Sequence, residues 1–372
     1  MADCAISISV FTPFVNRYKT YICDIEIEIV VKKFLSVLKY LLFLAIGLAV
    51  FYYIYREVEF RELMEQVSSI NWWWIALSLL VSIIGHVFRA IRWCMLIDSA
   101  GYGVNRFRTF CSVMVMYFVN LIIPRGGEIV RCTVLSQTDR VPFAVLLGTV
   151  VVERVVDVII LLIVTFFMVF FQLDFIESLV GQLDSDAIFN RFAFLFSPFF
   201  WIAAIGLGCV TIAVLYKFRH KLLEIKLLKP IVDLMLKFWN GIKSILKLKH
   251  WPLFLLFSVL VYLAYFTMFY VAFFSFEPTS GLSFGVAVTT IIVGAFAMLV
   301  PVQGGIGPWH FMVFQTLAVY GVQIADGKIY ALISHSTTNG ICLILGAISL
   351  VYLTVIGRRS VPQSKADTAQ AD

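Results

Sequence analysis

An all-α polytopic membrane protein is what this sequence predicts, and three observations carry the prediction. The chain of 372 residues is 61% hydrophobic and only 14% charged, whereas soluble chains keep roughly a quarter of their residues charged to face water. Its mean hydropathy is +0.94. Its apolar residues gather in runs of the length that crosses a bilayer, for which about 20 are needed. Too few polar residues remain to cover a water-exposed surface, so lipid must solvate most of the chain.

The net charge of +6 would point a soluble protein toward nucleic acid. Here the basic residues sit in short loops beside apolar runs, the pattern that orients membrane helices, and no nucleic-acid partner is expected. Cysteines at 4, 23, 94, 111, 132, 209 and 342 are scattered, with no C-x-x-C and no metal spacing with histidine. Neither a disulfide, a metal nor a cofactor is expected.

In chain order, residues 1–31 come first and differ from the rest. Asp24 to Val30 alternates acid and isoleucine, a strand-like period with nothing nearby to pair with it. No basic, apolar and small-residue signal-peptide series precedes Lys32. A weakly ordered extension is expected, a misassigned start being the alternative. A transmembrane domain is expected over 32–359 and a disordered tail over 360–372.

Six runs read as full spans: Phe34–Tyr55, Trp72–Ile91, Phe143–Phe171, Phe192–Tyr216, Pro252–Phe276 and Ile329–Ile356. Two more, Phe110–Ile123 and Leu282–Val300, each run into a proline and a glycine pair, Pro124-Arg125-Gly126-Gly127 and Pro301-Val302-Gln303-Gly304-Gly305. Short helices should resume near Glu128 and Pro308.

Basic residues then set the sides, since they favour the cytoplasmic face. Lys32, Lys33 and Lys39 put the N-terminus inside, and Arg358, Arg359 and Lys365 do the same for the C-terminus. Four glutamates against two arginines put Arg56–Asn71 outside. Arg89, Arg92, Arg106 and Arg108 place the following connection inside. Asp174, Glu177, Asp184 and Asp186 place Gln172–Arg191 outside, and nine basic residues against two acids place Lys217–His250 inside.

These assignments conflict if every apolar run spans, because the Arg106 and Arg140 flanks both belong inside. The conflict vanishes if Phe110–Arg140 enters from the inside and returns, and if Leu282–Gln323 does so from the outside. The prediction is therefore about six spans plus two re-entrant broken-helix hairpins, in an inverted-topology repeat (first repeat about 34–171, second about 192–356). Many transporters build a midplane site this way. Leu222–Leu248, within the basic connector 217–250, is amphipathic; it lies on the inner membrane surface or packs as a connector on the bundle.

The chemistry concentrates where polar groups interrupt apolar helix. Glu153, Arg154 and Asp157 sit mid-span, where each charge costs about 2.5–3.5 kcal/mol on insertion scales. Glu153 and Asp157 share a face, and Arg154 can reach Asp157. The triplet is either an ion pair fastening helices or an arginine poised for phosphate. On either reading Arg154→Ala is expected to strand both carboxylates. The first break adds Asn120, Arg125, Gly127, Glu128 and Arg131, with a helix N-terminus that favours an anion. Glu128 in that first turn is a headgroup-site residue or a capping charge. The second adds Gln303, Gly304, Gly305, Gly307 and His310, with Pro308 suited to a first helical position. Ser334, His335, Thr338 and Asn339 follow on the last span, with His335 read as hydrogen-bonded packing. Both breaks free backbone groups that lipid cannot satisfy, so both are expected to line one cavity reached by Arg154. No nucleophile elbow, Walker loop, G-x-G-x-x-G after a strand or H-E-x-x-H occurs, and catalysis is not expected.

Asn120–Arg131 (N-L-I-I-P-R-G-G-E-I-V-R), Glu153-Arg154-Val155-Val156-Asp157 and Pro301–Gly307 (P-V-Q-G-G-I-G), in this order and spacing, resemble the transmembrane region of lysylphosphatidylglycerol synthase, part of a broad group of flippase-like proteins. The resemblance covers roughly Lys32–Arg359. In the bifunctional bacterial members a soluble aminoacyltransferase domain makes an aminoacyl lipid and the membrane part flips it. For this chain the resemblance implies the flipping half alone, in a bacterial inner membrane. A separate lipid-modifying enzyme is then a candidate partner. Many members carry an acid after the second glycine break where this chain has His310.

The expected function is a translocase moving a phospholipid, or a polyprenyl-linked or other glycolipid, with the headgroup passing through a polar midplane cavity. Two alternatives stay open: an intramembrane enzyme acting on a lipid phosphate through Glu153, Asp157 and His310, and a non-transporting subunit of an envelope complex.

Overall fold

Helix is the only regular structure among the described residues, as a backbone surrounded by lipid requires. The computed structural model describes residues 41–56, 58, 60–171 and 250–359, together with Leu38 and Gly206. The expected extension 1–31, the span Phe192–Tyr216 (Gly206 apart), the outer loop Gln172–Arg191, the basic connector (His250 apart) and the tail 360–372 lie outside the described residues.

The elements run as α1 (Leu41–Tyr55), α2 (Phe60–Ser68), α3 (Trp72–Ser99), α4 (Arg106–Ile122), α5 (Gly127–Asp139) and α6 (Phe143–Phe171). After the undescribed stretch come α7 (Trp251–Phe273), the short α8 (Glu277–Ser280), α9 (Phe284–Ala297), α10 (Pro308–Val319) and α11 (Ile324–Arg359). By length and composition α3, α7 and α11 up to Ile356 are each able to cross a membrane. At 29 residues α6 is about 43 Å long, with charges at its middle. Outward-facing residues such as Leu162, Leu256, Val259, Ile348 and Val351 are exposed, an apolar surface of the kind a bilayer covers.

Both interrupted runs fold back on themselves. Near the start of α4, Arg108 donates to the Thr138 carbonyl at 3.0 Å and pairs with Asp139 at 2.9 Å, at the end of α5. The second break also returns: beside the end of α10, Tyr320 donates to Thr289, in the first half of α9, at 3.4 Å. Asn105 opens α4 by accepting the amides of Phe107 and Arg108, and Asn71 opens α3 by accepting that of Trp73; such caps satisfy amides that have no intrahelical partner.

Two close crossings join the halves of the chain. At Gly85 α3 meets Ala264 and Tyr265 of α7, where an added Cβ would lie 3.1 Å from each. At Gly346 α11 lies directly on Phe118 and the Met114 carbonyl of α4. Without a hydrophobic drive between helices in lipid, such contacts rest on small residues that let backbones approach. The buried apolar residues around Ile75, Phe273, Val313, Leu317 and Ile329 form one cluster on α3, α7, α10 and α11. Trp93, Val113, Leu135 and Leu146 form another on α3 to α6. Cys94, Cys111, Cys132 and Cys342 are buried free thiols.

The expected end of the second span at Ile91 is corrected by the structure: α3 continues to Ser99 and takes Arg89 and Arg92 inside. Both are buried, so neither acts as a loop charge. Their charges are tolerated because carboxylates from a neighbouring helix meet them.

Candidate functional site

The polar centre of the first half is a cluster of seven charged side chains from three helices. Arg89 and Arg92 come from α3, Glu128 and Arg131 from the start of α5, and Glu153, Arg154 and Asp157 from the middle of α6. Fully buried Glu153 accepts from Arg92 at 3.0 Å and Arg131 at 2.8 Å, with Arg89 at 3.5 Å. Asp157 accepts from Arg92 at 2.8 Å and also faces Arg89 at 3.7 Å and Arg154 at 3.3 Å. Arg131 lies 4.5 Å from the centre of the Trp93 ring, and Trp93 itself donates to Thr149 at 2.9 Å. Four arginines meet three carboxylates, leaving a surplus of one positive charge.

One edge of the cluster is open. The Arg154 side chain is 42% exposed and that of Glu128 25%, against 0% for Arg92, Arg131 and Glu153. Glu128 bridges Arg131 at 2.7 Å and Arg154 at 2.9 Å. A buried carboxylate held by several guanidiniums is a fixed feature, because removing one partner leaves an uncompensated charge. A half-exposed arginine at the same cluster can exchange partners.

Eight residues expected at the site lie at the two breaks, where several hold freed backbone or packing. Asn120 accepts the Gly127 amide at 2.9 Å and so caps α5. A Cβ at Gly127 would run into the Met116 carbonyl, and at Gly305 into Met298. Arg125, at φ 62°, donates to the Leu299 carbonyl at 3.0 Å. That bond joins the tips of the two breaks, where Gly304 also lies against Leu121. His335 Nε2 donates to the Gly304 carbonyl at 2.9 Å, and Gly307 donates its amide to His310 Nδ1 at 3.3 Å. Gly304, Gly305 and Gly307 all take positive φ, a backbone path that side chains rarely follow. Gln303 is buried.

Around them the aromatic rings close. His310 packs edge-on to Phe51, Tyr55, Trp309 and His335, and Trp309 stacks on His335 at 4.5 Å. His310 and the three glycines are thus held by α1, α10 and α11, and the two breaks meet at the Arg125–Leu299 bond.

The sequence reading placed Arg89 and Arg92 with a cytoplasmic connection and did not name His86. Ser82, His86, Arg89 and Trp93 fall on one face of α3, and that polar stripe on an apolar helix was the available signal. His86 lies against Tyr117 at 4.4 Å and Tyr265 at 5.9 Å between ring centres, and the two tyrosine hydroxyls are 2.9 Å apart. This polar group continues the cluster along α3, since Arg89 sits 5.8 Å from the Tyr265 ring centre.

Compared with known proteins, residues 40–346 match the family described as the lysylphosphatidylglycerol synthase TM region. A UPF0104 membrane protein of Methanocaldococcus jannaschii is 28% identical over 202 residues, covering 51% of this chain and 57% of that protein. The chain spans little more than half the length of that relative. No solved structure matches the chain.

Proposed function

Since the chain belongs to the family of the lysylphosphatidylglycerol synthase TM region, an integral membrane family with a lipid-related role, we propose that it is a lipid translocase and not an enzyme. In this reading an anionic headgroup enters the polar interior at Arg154 while its acyl or prenyl tails stay in the bilayer. The single observation that carries it is the open edge of the charged cluster: one surplus positive charge, with Arg154 42% exposed beside buried Arg131. A guanidinium can hold two oxygens of a phosphate through parallel hydrogen bonds.

The two broken hairpins, with tips in contact at Arg125 and Leu299, support an inverted-topology repeat in which both re-enter the membrane from opposite sides. The basic flanks support cytoplasmic termini, and the family likeness is the support for a bacterial inner membrane and a separate lipid-modifying enzyme as partner. Cysteine-accessibility labelling should then find positions 106 and 140 on the same, cytoplasmic side. Accessibility of position 140 only from outside would sink the repeat.

Activity is tested by reconstitution into liposomes with labelled lipids, scoring movement and hydrolysis together. Labelled anionic lipid should cross faster than in protein-free liposomes, without hydrolysis. Hydrolysis would replace this reading with an intramembrane enzyme, and neither activity would leave a non-transporting subunit.

A further inference from the structure

We propose that Glu128 is a built-in stand-in for the headgroup: its carboxylate occupies the seat on Arg131 and Arg154 that a lipid phosphodiester takes over on binding. The inference rests on the headgroup-site reading above and adds the group that must leave.

Three features single out Glu128 among the cluster's carboxylates. It uses both oxygens on two guanidiniums, Oε2 at 2.7 Å from Arg131 and Oε1 at 2.9 Å from Arg154. The two unesterified oxygens of a phosphodiester can reproduce that arrangement. It is also the least firmly held. Glu153 and Asp157 accept aligned hydrogen bonds from Arg92, whereas both Glu128 contacts, Oε2 to Arg131 Nη2 and Oε1 to Arg154 Nη2, are at ion-pair distance without hydrogen-bond alignment. Finally, at 25% side-chain exposure it stands at the open edge, while Glu153 is sealed.

The seat survives its departure. Arg131 keeps Glu153 at 2.8 Å and the Trp93 ring at 4.5 Å, and Arg154 keeps Asp157 at 3.3 Å. Buried Arg131 also carries Nε and Nη1 groups that lack a hydrogen-bond partner among the described residues, donors that incoming oxygens can use. Charge is conserved as well. With Glu128 swung out, four arginines face two carboxylates, and a monoanionic phosphodiester restores the surplus of one. An exchange of one anion for another avoids the cost of exposing an uncompensated buried charge.

Glu128→Gln keeps the shape of the side chain and removes the competing charge. The purified full chain in phosphatidylcholine nanodiscs is titrated with dihexanoyl phosphatidylglycerol and, separately, with inorganic phosphate. Glu128→Gln should bind the lipid about tenfold more tightly than wild type, which corresponds to about 1.4 kcal/mol of competition removed. Glu128→Asp, whose shorter arm reaches the arginines less well, should fall between, and decides the question by the same criterion if the glutamine variant does not fold. Arg154→Gln should weaken binding in either background. Unchanged or weaker binding by Glu128→Gln, with Arg154→Gln still weakened, overturns the stand-in and leaves the headgroup site intact. If wild type and Arg154→Gln both bind phosphatidylglycerol no better than dihexanoyl phosphatidylcholine, the site reading itself fails and takes the stand-in with it. A gain for inorganic phosphate alone overturns lipid as the occupant.

Discussion

The first hairpin, α4 to α5, is fastened with charge: Arg131 and Glu128 at the start of α5 join arginines of α3 and carboxylates of α6. The second, α9 to α10, is fastened with neutral groups: His310 takes the Gly307 amide, and His335 reaches the Gly304 carbonyl across from α11. Both solve the problem a broken helix poses in lipid, which is to give each freed backbone group a partner. They differ in what remains after that. The neutral hairpin is closed by rings packed edge to face and stacked, and has no charge to trade. The cluster around the charged hairpin retains one excess positive charge and, on α6, a half-exposed arginine. A break in a membrane helix is therefore no site by itself; the chemistry comes from what the neighbouring helices bring to it.

The contrast can be broken first at Arg92. It is fully buried and bridges Glu153 and Asp157, so Arg92→Ala should cost about 3–5 kcal/mol, the range for breaking a buried pair. Thermal unfolding in detergent reads it, and a wild-type midpoint would remove the cluster from the structural account. Next comes packing at the breaks. Gly127→Ala drives a methyl into the fixed Met116 carbonyl and should cost up to about 3 kcal/mol as overpacking. Gly305→Ala meets the flexible end of Met298 and should cost less despite its positive φ; the reverse order would mean that the second break is the more rigid.

His335→Ala leaves the Gly304 carbonyl without its donor, an expected loss of about 1–3 kcal/mol. His335→Gln should recover part of that if hydrogen bonding, not ring stacking, is the main contribution. The smallest effect on stability belongs to Arg154→Ala, within about 1 kcal/mol because the side chain is half-exposed and Glu128, Glu153 and Asp157 each keep another arginine. Its effect on anionic-lipid binding should be the largest of the series. That split between stability and binding separates the open edge of the cluster from its sealed interior.

The last comparison also shows where sequence reasoning stopped. Removal of Arg154 was expected to strand Glu153 and Asp157, but Glu153 is held by Arg92 and Arg131 and Asp157 by Arg92. The helical class and the two broken runs followed from composition and from the proline–glycine positions, because those are local properties. The triplet on α6 was legible for the same reason: charges in the middle of an apolar run demand an explanation wherever they occur. Arg89 and Arg92 were misread because they sit near the end of an apolar run, where a loop charge and a buried one look alike. Only the position of α6 beside α3 decides between them. Asn120 and Arg125, expected at the site, pose an analogous problem. A polar residue beside a break can face a substrate or the broken backbone, and sequence does not say which way the side chain turns.

The cluster lies entirely on α3, α5 and α6, and this bears on how the protein is made. On insertion scales, three charges near the middle of α6 cost about 2.5–3.5 kcal/mol each if that helix enters the bilayer alone. The arginines that neutralise them are on α3, and Arg131 and Glu128 are on α5, all synthesised earlier. Residue 171 therefore emerges from the ribosome when every partner of Glu153 and Asp157 in the cluster already exists. The crossings at Gly85 and Gly346, by contrast, need α7 and α11. The order of synthesis thus allows charge to be neutralised before backbone packs against backbone at those crossings. A chain truncated after α6 should retain those three charges in the membrane, whereas one that also lacks α3 should let them slip out.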